Sequence, residues 1–212
     1  MDGRTVICIV GPTAVGKSSV AQEVACTLGG EVVSVDSMQV YRGMDIGTAK
    51  TPPAERTCPL HMVDVAEVGD SYSVACFQRD ARACVDALLE RRACAVLCGG
   101  TGLSLDAVIE RRVDRMFELG LVDEVRELCN KGLRESPTAA KAIGYKEVLS
   151  ALDGTISMEE ARELVKRNTR RYAKRQLSWL KRDGRARWLH MDEMSIDDAV
   201  KTICEDWRAC GS

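Results

Sequence analysis

The segment Gly-Pro-Thr-Ala-Val-Gly-Lys-Ser at residues 11–18 matches the GxxxxGK[ST] phosphate-binding loop in full. It follows an apolar, β-branched run at residues 5–10 and precedes a helical pattern at 18–28, which is the strand–loop–helix order that the motif requires. Glycines let the backbone wrap an anion, Lys17 adds a positive charge, and the Ser18 hydroxyl can ligate Mg²⁺. The predicted phosphate-binding residues are Gly11, Pro12, Thr13, Ala14, Val15, Gly16, Lys17 and Ser18.

Strand and helix patterns alternate over the first half of the chain. Short β-branched runs at residues 31–35, 61–65 and 93–97 predict strands. Residues 73–91 repeat apolar side chains at helical spacing, with Ser71 or Ser73 as the cap. Parallel strands need crossover connections, and those are usually helical. The sequence therefore predicts an α/β fold with a P-loop NTPase-like parallel sheet flanked by helices.

The strand signal largely disappears after residue 109. Helical patterns cover residues 109–130, 138–152 and 157–181, and the last begins at Ser157 with Glu160 three residues on. Val165, Tyr172 and Trp179 recur every seven residues there, and we expect this seam to pack on the rest of the domain. The C-terminal part is thus predicted to be largely helical.

These patterns suggest one main domain in three parts. We expect a P-loop α/β core over residues 1–105, a helical part over 109–190 that packs on it, and a C-terminal tail over 191–212. Apolar runs are too short for a membrane span, and the first residues run straight into a strand pattern without an apolar export segment. We therefore expect a cytoplasmic protein with no membrane partner.

The ten cysteines do not suggest a disulfide framework. There is no CxxC pair, and the two histidines are far apart in sequence, which argues against a zinc site. Free cysteine in an apolar pattern behaves as a small hydrophobic residue, so we expect reduced, structural thiols. Cysteines inside apolar strand or helix patterns are Cys8, Cys26, Cys94, Cys98 and Cys129.

Charge is unevenly distributed along the chain. The formal net charge is only −2, yet residues 166–187 hold ten basic residues and a single acid, Asp183. A one-sided basic segment favours contact with nucleic acid, and the alternative is an ordinary solvated helix surface. We therefore expect a basic helix over residues 157–183 that faces RNA.

The strand after the helix at 73–91 narrows the class of P-loop protein. Many P-loop hydrolases place an acid after such a strand to hold Mg²⁺, whereas here the strand runs into Cys-Gly-Gly-Thr at residues 98–101. This argues against a motor or switch NTPase. It leaves a small-molecule or nucleoside kinase that uses ATP, or a transferase with pyrophosphate as the leaving group.

Five further motifs occur in a fixed order with the P-loop. They are Asp-Ser-Met-Gln-Val-Tyr at 36–41, Gly-Thr-Ala-Lys at 47–50, Gly-Gly-Thr-Gly-Leu at 99–103, Ile-Gly-Tyr-Lys-Glu at 143–147 and Thr-Arg-Arg-Tyr-Ala-Lys-Arg-Gln-Leu-Ser-Trp at 169–179. Together they make the chain resemble the tRNA dimethylallyltransferases, also called isopentenyl-tRNA transferases. The resemblance implies transfer of a dimethylallyl group from its pyrophosphate, with Mg²⁺, to the amino nitrogen of the adenine next to the anticodon.

The resemblance also implies catalytic residues. Asp36 matches the general base, with a metal-site acid as the alternative, and Thr101 matches a residue near the adenine, with a plain turn residue as the alternative. Arg112 best matches the catalytic arginine, although Arg111 or Arg115 could take its place. The implied tRNA-binding residues are Asp36, Ser37, Met38, Gln39, Thr101, Arg170, Arg171, Lys174 and Arg175.

One part of the family pattern is missing. The family carries a long helical insertion that grips the anticodon arm between the motif at 99–103 and the helix at 109, and here only residues 104–108 bridge the two. We interpret the junction as two ends brought together by deletion or omission. No exposed heptad seam beyond 157–181 demands a partner, so we also expect a monomer.

Overall fold

A computed structural model describes residues 6–11, 16–99, 106–180, 187–191 and 193–210 of the chain. The first half of the chain builds a parallel sheet of four strands, β1 (Val6–Val10), β2 (Glu31–Ser34), β3 (Leu60–His61) and β4 (Ala95–Gly99). They lie in the order β1-β4-β2-β3, so every connection crosses over. The predicted α/β class with a parallel sheet is confirmed. The helices of this half are α1 Lys17–Thr27 and α2 Val74–Glu90.

Successive side chains of the central strands point to opposite faces of the sheet. On β2, Val32 joins the apolar cluster under α1, whereas Val33 joins the cluster under α2 together with Leu88. Strand β4 repeats the alternation with Val96 and Ala95. Helices therefore cover both faces, as a parallel sheet requires.

The second half is helical among the residues that the structure describes. Its helices surround the segment that contains Val40, Tyr41 and Met44, all fully buried, and Tyr145 packs in the same cluster. This part thus shares one core with the long connection between β2 and β3. The helices are α3 Asp106–Glu118, α4 Leu121–Cys129, α5 Tyr145–Leu152, α6 Met158–Leu180 and α7 Ile196–Cys210.

Two predicted helices are each broken at a glycine. The helix predicted over 109–130 divides into α3 and α4 at Gly120, whose φ is 100°, and the helix predicted over 138–152 begins only after Gly144, whose φ is 98°. Both angles lie in the left-handed region that side-chain-bearing residues rarely adopt, so the chain turns at these points. Apolar spacing continues across both breaks, which is why the sequence pattern hid them.

Two predicted strands also need correction. The strand predicted at 93–97 lies two residues later, because β4 pairs with β1 as far as Gly99. The strand predicted at 61–65 ends at His61, since Met62 and Asp64 have φ of 60° and 57°. This turn brings Asp64 Oδ1 to 2.7 Å from Lys50 Nζ, a contact that an extended strand would not make.

The predicted helix starts at α2 and α6 are confirmed. Ser73 Oγ accepts from the Cys76 amide at 3.2 Å, and Ser157 with Glu160 forms a capping box at α6. The predicted seam of α6 is wrong at Tyr172, which is 42% exposed although Val165 is buried. The Trp179 side chain lies outside the described residues.

The segment predicted as a tail contains a helix that belongs to the core. Helix α7 packs on α1, and Cys204 is buried in the apolar cluster between α1 and the sheet. The ten cysteines all lie within the described residues and form no disulfide, but the expectation of burial fails for Cys8 and Cys26, which are exposed. Within the described residues, no helix is both long enough and apolar enough to cross a bilayer.

Candidate active site

A cleft of about 1250 Å³ opens beyond the carboxyl ends of β1, β2 and β4. Ligands of open parallel sheets bind at this edge, because the loops that follow the strands meet there. Helices α3 and α6 supply the opposite wall. Polar and charged lining residues include Lys17, Ser18, Ser34, Asp36, Ser37, Gln39, Thr48, Arg112, Lys141, Lys146, Asn168, Thr169, Arg171 and Arg175.

The phosphate loop lies at one end of the cleft. Gly16, Lys17 and Ser18 line the cleft where α1 begins. The Lys17 side chain passes over Gly11, and its Cδ lies 3.5 Å from the point that a Cβ atom on Gly11 would occupy. Backbone amides of the first turn of α1 are therefore directed at this end. The predicted residues Pro12, Thr13, Ala14 and Val15 lie outside the described residues.

Two partly buried cations, Lys17 and Arg112, lie beside this loop. Desolvation lowers the pKa of Lys17 to about 8, and the positive charge of Arg112 lowers it further, while Cys98 and Asp36 act in the opposite direction. Burial likewise lowers the pKa of Arg112, and Asp36 again opposes the shift. The arrangement places two desolvated positive charges around one carboxylate, an excess that an anionic ligand would neutralise.

Asp36 occupies the position that the sequence predicted. It follows β2 directly, and its Oδ1 accepts a hydrogen bond of 2.9 Å from the Met38 amide, which fixes the carboxylate. Met38 and Ser37 also line the cleft, so this predicted set is brought together. Thr101, which the resemblance places near the adenine, lies outside the described residues.

Gln39 has a structural task that the resemblance did not suggest. Its Oε1 accepts from Ser34 Oγ at 2.9 Å, and its Nε2 donates to the Thr48 carbonyl at 3.2 Å. The side-chain amide thereby joins the end of β2 to the Gly-Thr-Ala-Lys loop. This bridge holds the backbone around Asp36.

The loop at residues 45–50 is held from two directions. The Glu124 carboxylate of α4 accepts from the amides of Asp45, Ile46 and Gly47 at 3.0, 2.8 and 3.2 Å and from the Tyr145 hydroxyl at 2.7 Å. Lys50, with a buried side chain, donates to the Tyr41 carbonyl and pairs with Asp45 and Asp64. Sequence spacing gave no sign that Glu124 reaches this loop, because the two are far apart in the chain.

The Ile-Gly-Tyr-Lys-Glu motif fastens the loop before α5 to α6. Glu147 is buried, and its two carboxylate oxygens accept from the Gly144 amide at 2.8 Å and from Asn168 Nδ2 at 2.7 Å. Asn168 in turn lines the cleft. Sequence analysis found the motif but missed Asn168, and helical spacing from buried Val165 could have identified it.

The basic residues of α6 do not share one role. Lys166 Nζ pairs with Asp114 at 3.0 Å, and Arg170 Nη2 pairs with Glu110 at 2.7 Å, so both side chains hold α6 against α3. Arg171 and Arg175 are exposed and line the cleft. The predicted tRNA-binding set is therefore not one surface; Lys174 is exposed but does not line the cleft.

The structure distinguishes two of the three candidate arginines of α3. Arg112 lines the cleft, whereas Arg115 is exposed and does not line it. The Arg111 side chain lies outside the described residues. Sequence analysis also missed Cys98, a buried residue of β4 that lines the cleft beside Lys17, and whose thiol pKa is raised by burial.

Sequence comparisons match this architecture to a known family. The IPP transferase profile matches residues 39–110 and 103–183, and the isopentenyl transferase profile matches residues 4–58. The chain belongs to the tRNA dimethylallyltransferase family. The comparisons favour this family over the kinase alternative that the P-loop left open.

Relatives and solved structures of the tRNA dimethylallyltransferase family cover most of the chain. A tRNA dimethylallyltransferase of Pelotomaculum thermopropionicum is 32% identical over 292 positions, covering 92% of this chain and 93% of the relative. One of Streptomyces avermitilis is 37% identical, covering 87% and 89%. The tRNA isopentenylpyrophosphate transferase of Bacillus halodurans superposes with a TM-score of 0.87 at 32% identity, covering 98% of this chain and 95% of that one.

The comparisons also locate the missing segment. The alignment with the Pelotomaculum dimethylallyltransferase runs over 292 positions, more than the 212 residues of this chain, so part of the relative has no counterpart here. The two matches to the IPP transferase profile meet at residues 103–110, which places the junction there. The interpretation of residues 104–108 as a junction is therefore supported.

Proposed function

We propose that this chain transfers a dimethylallyl group from dimethylallyl pyrophosphate to the exocyclic amino nitrogen of the adenine next to the anticodon in tRNA. The observation that carries the proposal is a pair of partly buried, desolvated cations, Lys17 and Arg112, that line the same cleft as the carboxylate of Asp36. The two positive charges can bind a pyrophosphate, and the carboxylate can accept the proton that the adenine amino group loses. The names of the relatives support the same reaction.

Lys17 and Arg112 bind the donor and stabilise the leaving group. Negative charge builds on the pyrophosphate as its bond to the allylic carbon breaks, and desolvated cations stabilise that charge more strongly than exposed ones. Both side chains are held in the cleft before the donor arrives. We assign the catalytic arginine to Arg112 and not to Arg115, because Arg112 lines the cleft and Arg115 does not.

Ser18 is the residue that would hold Mg²⁺. It lies exposed at the start of α1 and offers a hard oxygen ligand, which suits this ion. The described residues contain no cluster of three His, Cys, Asp or Glu side chains that could hold a metal ion, so Ser18 is the residue proposed here as a ligand. When bound, the ion neutralises charge on the pyrophosphate.

Asp36 is the general base of the transfer. The amino nitrogen attacks the allylic carbon, the carbon–oxygen bond breaks with its electron pair going to pyrophosphate, and the amino proton moves to the carboxylate. Because the Met38 amide already binds Oδ1, we assign the proton to Oδ2. Thr101 stays a proposed contact to the adenine.

RNA approaches along the rim of the cleft. Arg171 and Arg175 are exposed there and bind backbone phosphates, and Ser37 and Met38 contact the anticodon loop near Asp36. Arg170 and Gln39 act mainly by holding the protein surface in place, through Glu110 and Thr48. Lys174 adds charge outside the cleft.

We also propose that the chain works as a monomer in the cytoplasm, with residues 1–105 and 109–190 as its two parts. Light scattering should give a mass near the 23.2 kDa of one chain. Twice that mass would overturn the monomer. Fractionation of producing cells should recover the chain with the cytoplasmic proteins.

Thermal stabilisation by ligands tests the donor site. A ligand that binds only the folded state raises the melting temperature, so dimethylallyl pyrophosphate with Mg²⁺ should stabilise the chain more than ATP at equal concentration. A clear advantage for ATP would support the kinase reading, in which Asp36 is a metal-site acid.

A further inference from the structure

One face of α6 changes character along the cleft. Val165, Thr169 and Tyr172 follow each other at helical spacing and all line the cleft, so they lie on the same side of the helix. Val165 is 1% exposed, whereas Tyr172, two turns later, is 42% exposed. The helix thus leaves the core at this point and presents a tyrosine at the open end of the cleft.

Aromatic side chains are scarce in this chain, at 4% of residues. Among the described residues that line the cleft, the aromatic ones are Tyr145 and Tyr172. Tyr145 is fully buried, and its hydroxyl donates to Glu124, so it serves the core. Tyr172 is therefore the described cleft residue that can offer an aromatic face to a ligand.

Charge on both sides of Tyr172 indicates what that ligand is. Arg171 precedes it and Arg175 follows one turn later, and both guanidinium groups line the same cleft. Exposed aromatic rings between cations are the arrangement with which proteins bind single-stranded nucleic acid, since bases stack on rings and phosphates pair with cations. A small donor such as a prenyl pyrophosphate would bind at the other end, beside Lys17.

We propose that Tyr172 is a stacking platform for an unpaired base that neighbours the reacting adenine, with Arg171 and Arg175 on the adjoining phosphates. This inference rests on the proposed function, because it presumes an RNA acceptor. An enzyme that acts on a base must unstack it from its neighbours, and a ring that takes over one neighbour compensates for the lost stacking.

The test uses binding of an RNA hairpin with the anticodon-loop sequence, measured by fluorescence anisotropy. Tyr172→Ala should weaken binding about tenfold, whereas Tyr172→Phe keeps the ring and should stay within about twofold of the wild type. Trp188→Ala is the matched control, since Trp188 is 45% exposed but does not line the cleft. Stabilisation by dimethylallyl pyrophosphate should be the same in all four proteins.

Salt dependence separates stacking from charge. Tyr172→Ala should leave the slope of log Kd against log salt unchanged, while Arg171→Ala should reduce its size by about one. Equal binding by Tyr172→Ala and wild type would overturn the stacking platform and leave the proposed function standing. Loss in Tyr172→Phe equal to that in Tyr172→Ala would assign the effect to the hydroxyl and also overturn it. Failure of the wild type to bind RNA at all would overturn both proposals.

Discussion

The two ends of the cleft use positive charge in different ways. At the phosphate end, Lys17 and Arg112 are desolvated and share one carboxylate, so their charges act strongly and at short range. At the open end, Arg171 and Arg175 are exposed, so water and salt screen them. The comparison teaches that a small, tightly charged ligand suits the first end and a long, flexible polyanion suits the second.

The largest expected effect is on the rate of the transfer step, measured separately from donor binding. Asp36→Asn removes the proton acceptor and should slow transfer by roughly 100- to 10,000-fold in single-turnover assays. Donor binding should persist, because the cations remain. Asp86→Asn, an exposed change on α2, is the control and should have no effect. Full activity of Asp36→Asn would show that the carboxylate is not the base.

Lys17→Met tests the buried charge directly. Donor affinity should fall about 10- to 150-fold, the range for losing a hydrogen bond to a charged group. The melting temperature of the ligand-free variant should rise, because the buried ammonium destabilises the fold in the absence of an anion. The exposed Lys201→Met is the control. A lower melting temperature for Lys17→Met would contradict the account of a desolvated cation.

The pH dependence of donor binding tests the phosphate end of the cleft, with a smaller expected effect. The pKa of Lys17 is lowered from 10.5 to about 8, so above pH 8 the free protein loses the charge that binds the donor. Donor Kd should therefore rise with pH above 8, by at most about tenfold per pH unit. Stability of the ligand-free fold should increase over the same range, since the unfolded chain binds more protons between pH 8 and 10.5. Calorimetric titration measures the donor Kd, and thermal unfolding measures the stability. A donor Kd that stays constant from pH 7 to 10 would refute the lowered pKa of Lys17.

The smallest expected effect compares two cations of α6. Arg175→Ala should weaken RNA binding a few-fold and reduce the salt slope by about one. Lys166→Ala should leave the slope unchanged, because Lys166 is paired with Asp114 and holds α3. Anisotropy titrations at several salt concentrations provide the measurement. Equal slopes for Arg175→Ala and Lys166→Ala would contradict a phosphate contact by Arg175 at the rim of the cleft.

Sequence reasoning found the parts of the fold that local pattern determines. The P-loop, the alternation of strands and helices and the caps at Ser73 and Ser157 follow from residues within one element. It failed where apolar spacing continues through a turn, as at Gly120 and Gly144. It also treated residues 191–212 as a tail, because the burial of α7 depends on α1, which lies far away in sequence.

The candidate site was predictable in its residues but not in its assembly. Motif order pointed to Lys17, Asp36 and Arg112, yet no spacing indicated that burial would lower the pKa of both cations. The division of α6 into paired and cleft-facing cations also depends on α3, whose acids take up Lys166 and Arg170. Contacts between distant elements decide both properties.

The most direct test of the central claim is a transfer assay with the chain as it stands. Saturating dimethylallyl pyrophosphate, Mg²⁺ and tRNA are incubated with wild type or Asp36→Asn, and nucleosides and pyrophosphate are quantified together. The account predicts that the wild type forms dimethylallyl adenosine and pyrophosphate in equal amounts, and that Asp36→Asn forms neither at a comparable rate. Pyrophosphate release without modified adenosine, or phosphate transfer from ATP instead, would contradict it.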